Sequence, residues 1–211
     1  MPEPIVIVGC GGHGREIFGI IAAINESSGD PWKVLGFVDD APTAANLGRL
    51  DSLSVPFLGP PGELARLDAH YVIGIGDPRV RAKVAVKLDR PGRPAARLIH
   101  PAATVGPDQN LAEGVVLFAG ARVTTNVTLG RHVHLNQNAT VGHDSVLADY
   151  VQVNPLAAVS GDCTIGAAAL IGTTAAVLQG RHVGARATVG AGACVVRDVS
   201  ADTVVKGVPA R

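Results

Sequence analysis

From Val105 to Val195, every sixth residue is Val, Leu or Ile, sixteen positions without a break in register, and Ile99 extends the series backward. Two residues before each of these rungs, fourteen of sixteen positions hold Ala, Val, Ser or Cys; Gln109 and Arg181 are the exceptions. Just after the rungs come seven glycines and two asparagines, Asn136 and Asn154, residue types that adopt left-handed backbone at low cost. A period of six matches neither a helix at 3.6 nor a lone strand at 2. It predicts a hexapeptide β-helix, in which short strands stack coil on coil. Each strand turns one aliphatic and one small residue inward, and the neighbouring coils bury them. A slip of one residue would expose the whole ladder, so the register is strongly specified.

Before residue 99 the pattern is different. "PIVIVG" (4–9) reads as a short buried strand ending in glycines, and Arg15 to Ile24 carries helical apolar spacing. "KVLGFVDD" (33–40) reads as a second strand, Pro61 to Leu67 as a short helix, "YVIGIGD" (71–77) as a third strand and Arg79 to Leu88 as a further helix. This order predicts a small parallel sheet with helices packed on it, about half of a dinucleotide-binding fold. Two domains are expected, 1–98 (α/β) and 99–211 (all-β).

Composition narrows the function. Aromatics are only 3% of the chain, so its core is aliphatic, and Lys+Arg and Asp+Glu balance at 18 each. The balance argues against nucleic acid or an anionic membrane as a partner. The start "MPEPIVIVGCGGHGRE" lacks a basic n-region, and no apolar run reaches the length of about 18 residues that spans a bilayer. Cys10, Cys163 and Cys194 are odd in number and far apart, unlike a disulfide framework or a metal site. A cytoplasmic protein is expected.

Two constellations could carry chemistry. Gly9, Gly11 and Gly14 form G-x-G-x-x-G between a strand and a helix. The domain is small for two nucleotide halves, and the acid that would read a ribose, Asp39 or Asp40, lies about thirty residues on instead of about 20. A mononucleotide half-site fits these facts; a tight turn without a ligand also does. His143 falls two residues after rung Val141, in a turn, so its side chain is outside the core. His132 lies in an equivalent turn, and His134 and His182 point outward from strands. An imidazole ordinarily titrates near about 6.5, so a turn histidine can act as a base, and the adjacent Asp144 can fix its tautomer. The alternative is a solvated surface pair. No two histidines show the H-x4-H spacing of a zinc site, so no metal is expected. Cys163 takes a small inward position of the ladder, which disfavours it as a nucleophile.

On these features the chain resembles the hexapeptide-repeat acyltransferases, whose β-helix is left-handed; the close "VVKGVPAR" (204–211) is similar to their G-x-P-A-[KR] ending. "GCGGHGRE", "FVDD" and "IGIGD" resemble the branch of sialic-acid O-acetyltransferases and bacterial UDP-amino-sugar N-acetyltransferases, which fuse a Rossmann-like half-domain to that helix. The resemblance implies acetyl-CoA as co-substrate, a sugar or nucleotide-sugar as small-molecule substrate, a homotrimer, and His143 as general base oriented by Asp144. It implies substrate contacts from Gly11, Gly12, His13, Asp39, Asp40, Gly76, Asp77 and Asn136. Cofactor contacts would come from Gly161, Gln152, Thr173, Gly190 and Ala191, with Gly161 near an oxyanion donor. Amino-sugar relatives carry a second histidine nine residues after the base; here Gln152 stands there, able to hydrogen-bond but not to carry a proton. N-acetylation of an amino sugar is the expected reaction. The alternatives are O-acetylation of the sialic-acid type, a nicotinamide oxidoreductase and a non-catalytic β-helix binding protein.

Overall fold

A computed structural model describes residues 1–88 and 94–211. The amino-terminal part is a four-stranded parallel sheet in the order β3-β2-β1-β4, with β1 at Glu3–Val8, β2 at Trp32–Val38, β3 at Phe57–Gly59 and β4 at His70–Ile73. Helix α1 (Gly12–Ser28) joins β1 to β2, α2 (Ala44–Ser52) precedes β3, and α3 (Pro78–Leu88) follows β4. The expected helix at 61–67 is a 3-10 segment, Pro61–Arg66. The apolar pattern predicts neither α2 nor β3. Helix α2 buries only Leu50, so it has no apolar stripe to read, and a Thr43 Oγ1 cap accepting from Asn46 N–H helps define its start.

Two glycines of the first turn, and one just after β4, are set by packing. Gly9 is left-handed at φ 105°, and a Cβ on Gly14 would collide with the Gly9 carbonyl. A Cβ on Gly74 would sit 2.5 Å from Gly14 Cα. Strand β1, the turn and α1 can pack this closely only because these three positions lack side chains.

From Leu98 onward the chain winds as a left-handed parallel β-helix of two-residue strands on three faces, with seven, six and five strands. The face holding Leu98–Ile99, His134–Leu135 and Gln152–Val153 carries the amino-terminal part and is called the docking face. Thr140–Val141 lies on the second face and Val146–Leu147 on the third. Thr140 pairs with Ala158 and Gln152 with Leu170, so residue i lies over residue i+18 and three rungs make one coil. Every rung from Leu117 to Val195 is at most 3% exposed. Burying such a side chain contributes about 1.5–3 kcal/mol, so the ladder dominates the stability of this half.

The turn glycines and asparagines behave differently from the sequence expectation. The left-handed residue falls three places after each rung, from Asp108 to Gly192, and eleven of these fifteen are not glycine. Coil geometry imposes the conformation, and a backbone bond to the preceding coil holds it, as in Tyr150 N–H to Arg131 O at 2.7 Å. The glycines just after the rungs are needed for closeness instead. A Cβ on Gly142 would lie 2.5 Å from Gly161 N, and one on Gly172 would lie 2.6 Å from Ala191 N.

The two halves meet at a buried arginine. Arg81 of α3 is fully buried and donates to six acceptors. Two, the Ile75 and Gly76 carbonyls, belong to its own domain. Four belong to the β-helix: the His132, Tyr150 and Val151 carbonyls and Gln152 Oε1. Burial pulls the guanidinium down to about 9, with Asp77 opposing, so it stays charged at neutral pH. Replacing Arg81 by Met strands several buried acceptors, at about 1–3 kcal/mol each. The expected outcome is a loss of at least about 3 kcal/mol in a urea melt and faster proteolysis between the halves. A melt unchanged within about 0.5 kcal/mol would show that the junction does not depend on Arg81.

Candidate active site

The corner between the second and third faces carries His143 and Asp144. Asp144 is the left-handed residue of its turn, at φ 60°. His143 Nδ1 lies 2.6 Å from Asp144 Oδ2, and both side chains are half exposed. The other carboxylate oxygen, Oδ1, accepts from Asn126 Nδ2 at 2.7 Å, one coil earlier. The Asn126 amide first, and the His143 hydrogen bond second, hold Asp144 below the usual carboxylate range. An ionised Asp144 is an acceptor only, so the shared proton belongs on Nδ1, and Nε2 carries the lone pair. Among the described residues Nε2 has no hydrogen-bond partner. The ring lies against the next coil, where a Cβ on Gly161 would come within 2.5 Å of Nε2. This corner can accept a proton from a group placed outside it.

The same corner is braced from within. Ser145 Oγ donates to Ser160 O at 3.1 Å and accepts from Cys163 N–H at 3.1 Å. Cys163 is buried, burial pushes its thiol up, and Sγ donates to the Leu178 carbonyl at 3.3 Å. It serves the coil as a small inward residue.

A second line of predicted residues runs along the corner between the docking and second faces. Asn136 lies there one coil after Phe118, and its backbone is not left-handed, so the turn does not require it. It is 7% exposed; Nδ2 reaches Asn154 Oδ1 at 3.5 Å, and Oδ1 is buried with no partner among the described residues. Thr173, Gly190 and Ala191 fall on later coils of this corner; Thr173 and Ala191 are exposed and Gly190 half-buried. Gln152 is elsewhere: buried on the docking face, accepting from Arg81 Nη1 at 2.9 Å and donating to Asn154 Oδ1 at 3.3 Å.

The residues expected to contact a nucleotide divide in the same way. Nothing lies within 4 Å of where a Cβ on Gly11 would stand, and at Gly12 only the Arg15 side chain comes within 3.9 Å. The fold does not demand glycine at either, so their openness suits a ligand approaching the amino end of α1. Asp39 is occupied: Oδ2 accepts from Cys10 N–H at 2.9 Å and Cys10 Sγ at 3.1 Å, and Oδ1 from Ala41 N–H at 2.9 Å. Asp40 is exposed and lines a cavity of about 170 Å³ with Val8, Gly9, Pro61 and Ile75, at the carboxyl ends of the strands. Asp77 Oδ1 accepts from Arg79 and Val80 N–H at 2.8 and 3.0 Å, capping the start of α3. The Gly76 carbonyl accepts from Arg81. His13 faces the junction: its ring packs on Phe118 and His134, and Nε2 lies 2.9 Å from His134 Nδ1.

His134, expected at an outward strand position, and His132, expected in a turn outside the core, are fully buried because the amino-terminal domain covers the docking face. Arg81 and Asn126 were not expected at all. Arg81 had a signal, since α3 buries Pro78, Arg81, Ala85 and Leu88, at helical spacing with the arginine in the apolar stripe. Asn126 shows itself only through the eighteen-residue stacking that sets it under Asp144.

The PglD N-terminal domain family matches residues 4–88. Perosamine N-acetyltransferase from Caulobacter crescentus, a histidine-to-asparagine variant in complex with CoA and GDP-perosamine, is 32% identical, with a TM-score of 0.88 over 99% of this chain and 95% of that one. The acetyltransferase domain of PglB from Neisseria gonorrhoeae, in complex with acetyl coenzyme A, is 31% identical, with a TM-score of 0.89 over 100% and 99% of the chains. WeeI from Acinetobacter baumannii is 27% identical, with a TM-score of 0.79 over 99% of both. No match is found among curated proteins. Among the described residues no helix is long and apolar enough to cross a membrane, and no three His, Cys, Asp or Glu side chains converge as a metal site.

Buried His134 makes the junction sensitive to pH. Burial, then the nearby Arg81, His13 and His132, lower its pKa well below the usual value. The unfolded chain protonates this histidine near about 6.5, and the folded chain does so only at lower pH. Below about 6.5 the unfolded state therefore binds more protons, and stability falls as pH falls, by up to about 1.4 kcal/mol per pH unit from this one group. Urea melts between pH 8 and pH 5 are expected to show that loss, with a shallower slope in His134→Gln. An equal slope in the variant would assign the loss elsewhere.

Proposed function

The chain belongs to the hexapeptide-repeat family of bacterial sugar N-acetyltransferases, and we propose that it transfers an acetyl group from acetyl-CoA to the amine of a nucleotide-linked amino sugar. The observation that carries the site reading is the His143 corner, with Nδ1–H on Asp144 and the Nε2 lone pair outward.

In this reading the neutral amine attacks the thioester carbonyl carbon. The C–N bond forms, the carbonyl π electrons move to oxygen, and His143 Nε2 takes the proton leaving nitrogen. The oxyanion then re-forms the carbonyl, the C–S bond breaks, and the CoA thiolate takes a proton. A positioned base contributes about 10²–10⁴ in rate. The Gly161 N–H makes no backbone hydrogen bond among the described residues and is the proposed oxyanion donor. Asn136, Thr173, Gly190 and Ala191 form the proposed groove wall for the acceptor and pantetheine. Gly11, Gly12 and Asp40 are the proposed nucleotide contacts. Asp39, Gly76, Asp77, His13 and Gln152 act from behind, holding the turns and the junction.

The geometry supports an oligomer. His143 stands at the vertex opposite the docking face, whereas the glycine turn belongs to the domain covering that face. The body of the prism lies between these two faces within one chain, and in this reading a neighbouring copy would bring its glycine turn to this chain's His143. A homotrimer with acetyl-CoA between adjacent β-helices meets that need.

Purified protein mixed with acetyl-CoA and GDP-perosamine, or another nucleotide-linked amino sugar, is expected to release free thiol. His143→Ala is expected to keep its fold and lose at least about 10²-fold in kcat. Gly12→Glu, which sets a carboxylate in the diphosphate's place, is expected to be inactive too. Co-expression of the two variants should restore turnover, because some sites in mixed oligomers pair an intact base with an intact glycine turn. Mixed oligomers without turnover would sink the shared site, and an unchanged kcat in His143→Ala would sink the base.

A further inference from the structure

Asp144 sits on an exposed corner, where water competes for both carboxylate oxygens and nothing buried fixes its rotation. The torsion that aims a carboxylate is broad. An orienting acid in such a place needs a second anchor, and the structure holds one. Asn126 lies in the equivalent turn one coil earlier, left-handed at φ 53° as Asp144 is at 60°. The stacking superposes these turns, and Asn126 Nδ2 donates to Asp144 Oδ1 at 2.7 Å while Oδ2 faces His143 Nδ1 at 2.6 Å. Each oxygen has one fixed partner, so the carboxylate plane is set from below. The Asn126 backbone is itself tied to the preceding coil through its N–H to Pro107 O at 3.3 Å.

We propose that Asn126 is a positioning residue for the transfer reaction, acting through Asp144 to hold the His143 proton on Nδ1 and the Nε2 lone pair toward the acceptor amine. This rests on the reading of His143 as the base. Asn126 touches neither substrate. Its amide donor also satisfies the carboxylate oxygen that the imidazole leaves open, so Asp144 remains an acceptor while the imidazole takes up the amine proton. The turn requires a left-handed residue, and glycine or aspartate would meet that requirement equally well. Asparagine tolerates the backbone and also donates to Oδ1, at 2.7 Å.

Two variants separate the donor from the backbone. Asn126→Gly keeps the left-handed turn without strain and removes the amide; Asn126→Asp keeps the shape and turns the donor into an acceptor facing another carboxylate. With acetyl-CoA and GDP-perosamine, kcat is expected to fall about tenfold in Asn126→Gly and further in Asn126→Asp, with both KM values within about twofold of wild type. In an Asp144→Ala background Asn126→Gly should have no further effect, since it acts through that carboxylate. The His143 Nδ1–H resonance, followed by ¹H–¹⁵N NMR, should be observable in the wild type and lost to exchange in Asn126→Gly. Unchanged kcat in folded Asn126→Gly, or the same fall with Asp144 absent, overturns the proposal. Should Asn126→Gly not fold, Asn126→Asp decides by the same two measurements. His143→Ala tests the underlying reading separately: turnover there removes the base itself, whereas a dead His143→Ala beside a fully active Asn126→Gly removes only Asn126.

Discussion

The placement of residue i over residue i+18 governs the carboxy-terminal half. It is enforced by the aliphatic ladder, because a coil out of step would expose rungs that are now at most 3% exposed. Once the register is fixed, side chains distant in sequence form columns whose spacing cannot drift. Asn126, Asp144 and Asp162 occupy one such column, and Thr125, His143 and Gly161 the next. The ladder therefore does two things. It holds the fold together, and it aligns turn residues on corners that have little packing of their own. A rigid scaffold carrying exposed polar groups is the arrangement that positioning chemistry requires.

The junction follows a different logic. A fully buried guanidinium hydrogen-bonded to no carboxylate among the described residues is an expensive way to join two domains, and hydrophobic residues would cost less. Arg81 is tolerable because carbonyls and one amide oxygen surround it, each aimed at an N–H of a planar fork. The gain is geometric. Helix α3 is fixed in rotation and in height against two successive coils, at His132 and at Tyr150 through Gln152. Gln152 keeps that clamp in place and also touches Asn154, which reaches Asn136. A histidine at this position could offer the guanidinium one ring nitrogen only in its neutral form and would add a titrating group beside Arg81. Glutamine offers a permanent acceptor. Its lack of a transferable proton thus suits the place it occupies, away from the His143 corner.

The sequence makes the β-helix legible because its signal is redundant. Sixteen rungs repeat one instruction, and any single substitution leaves the pattern readable. The His143–Asp144 pair was legible for a related reason: the ladder numbers each turn residue. What sequence spacing could not show was which outer face would be covered. His132 in its turn and His134 on its strand read as outside the core and are outward of their coil, yet another domain lies on them. The glycines after the rungs were assigned to left-handed turns because glycine is permissive there. The structure assigns them to close coil contact, and it gives the left-handed places to residues such as Tyr150, Leu156 and Arg186. Residue preference is a weak guide where eighteen-residue stacking dictates the backbone. Arg81 was readable in principle, as a charge in the apolar stripe of α3.

The glycine-rich turn shows how fold and function can be separated within one motif. G-x-G-x-x-G is weak as a signal because a tight strand-to-helix turn also calls for glycine. Adding a side chain in thought at each position divides the set. Gly9, Gly14 and Gly74 are required by neighbours within the chain, and they would be glycine in a turn that bound nothing. Gly11 and Gly12 have no such neighbour, and glycine costs conformational entropy at the end of a helix. A residue that the fold does not need, and that is unfavourable to keep, points to something outside the fold. No side chain caps the start of α1 at Gly11, and Asp40 is exposed near the carboxyl end of the sheet. That combination is why the nucleotide is proposed to bind there. In the proposed reading, the His143 corner of one chain and the glycine turn of a neighbouring copy are the two halves of one centre, and stacking in register would hold each half rigid enough to meet the other.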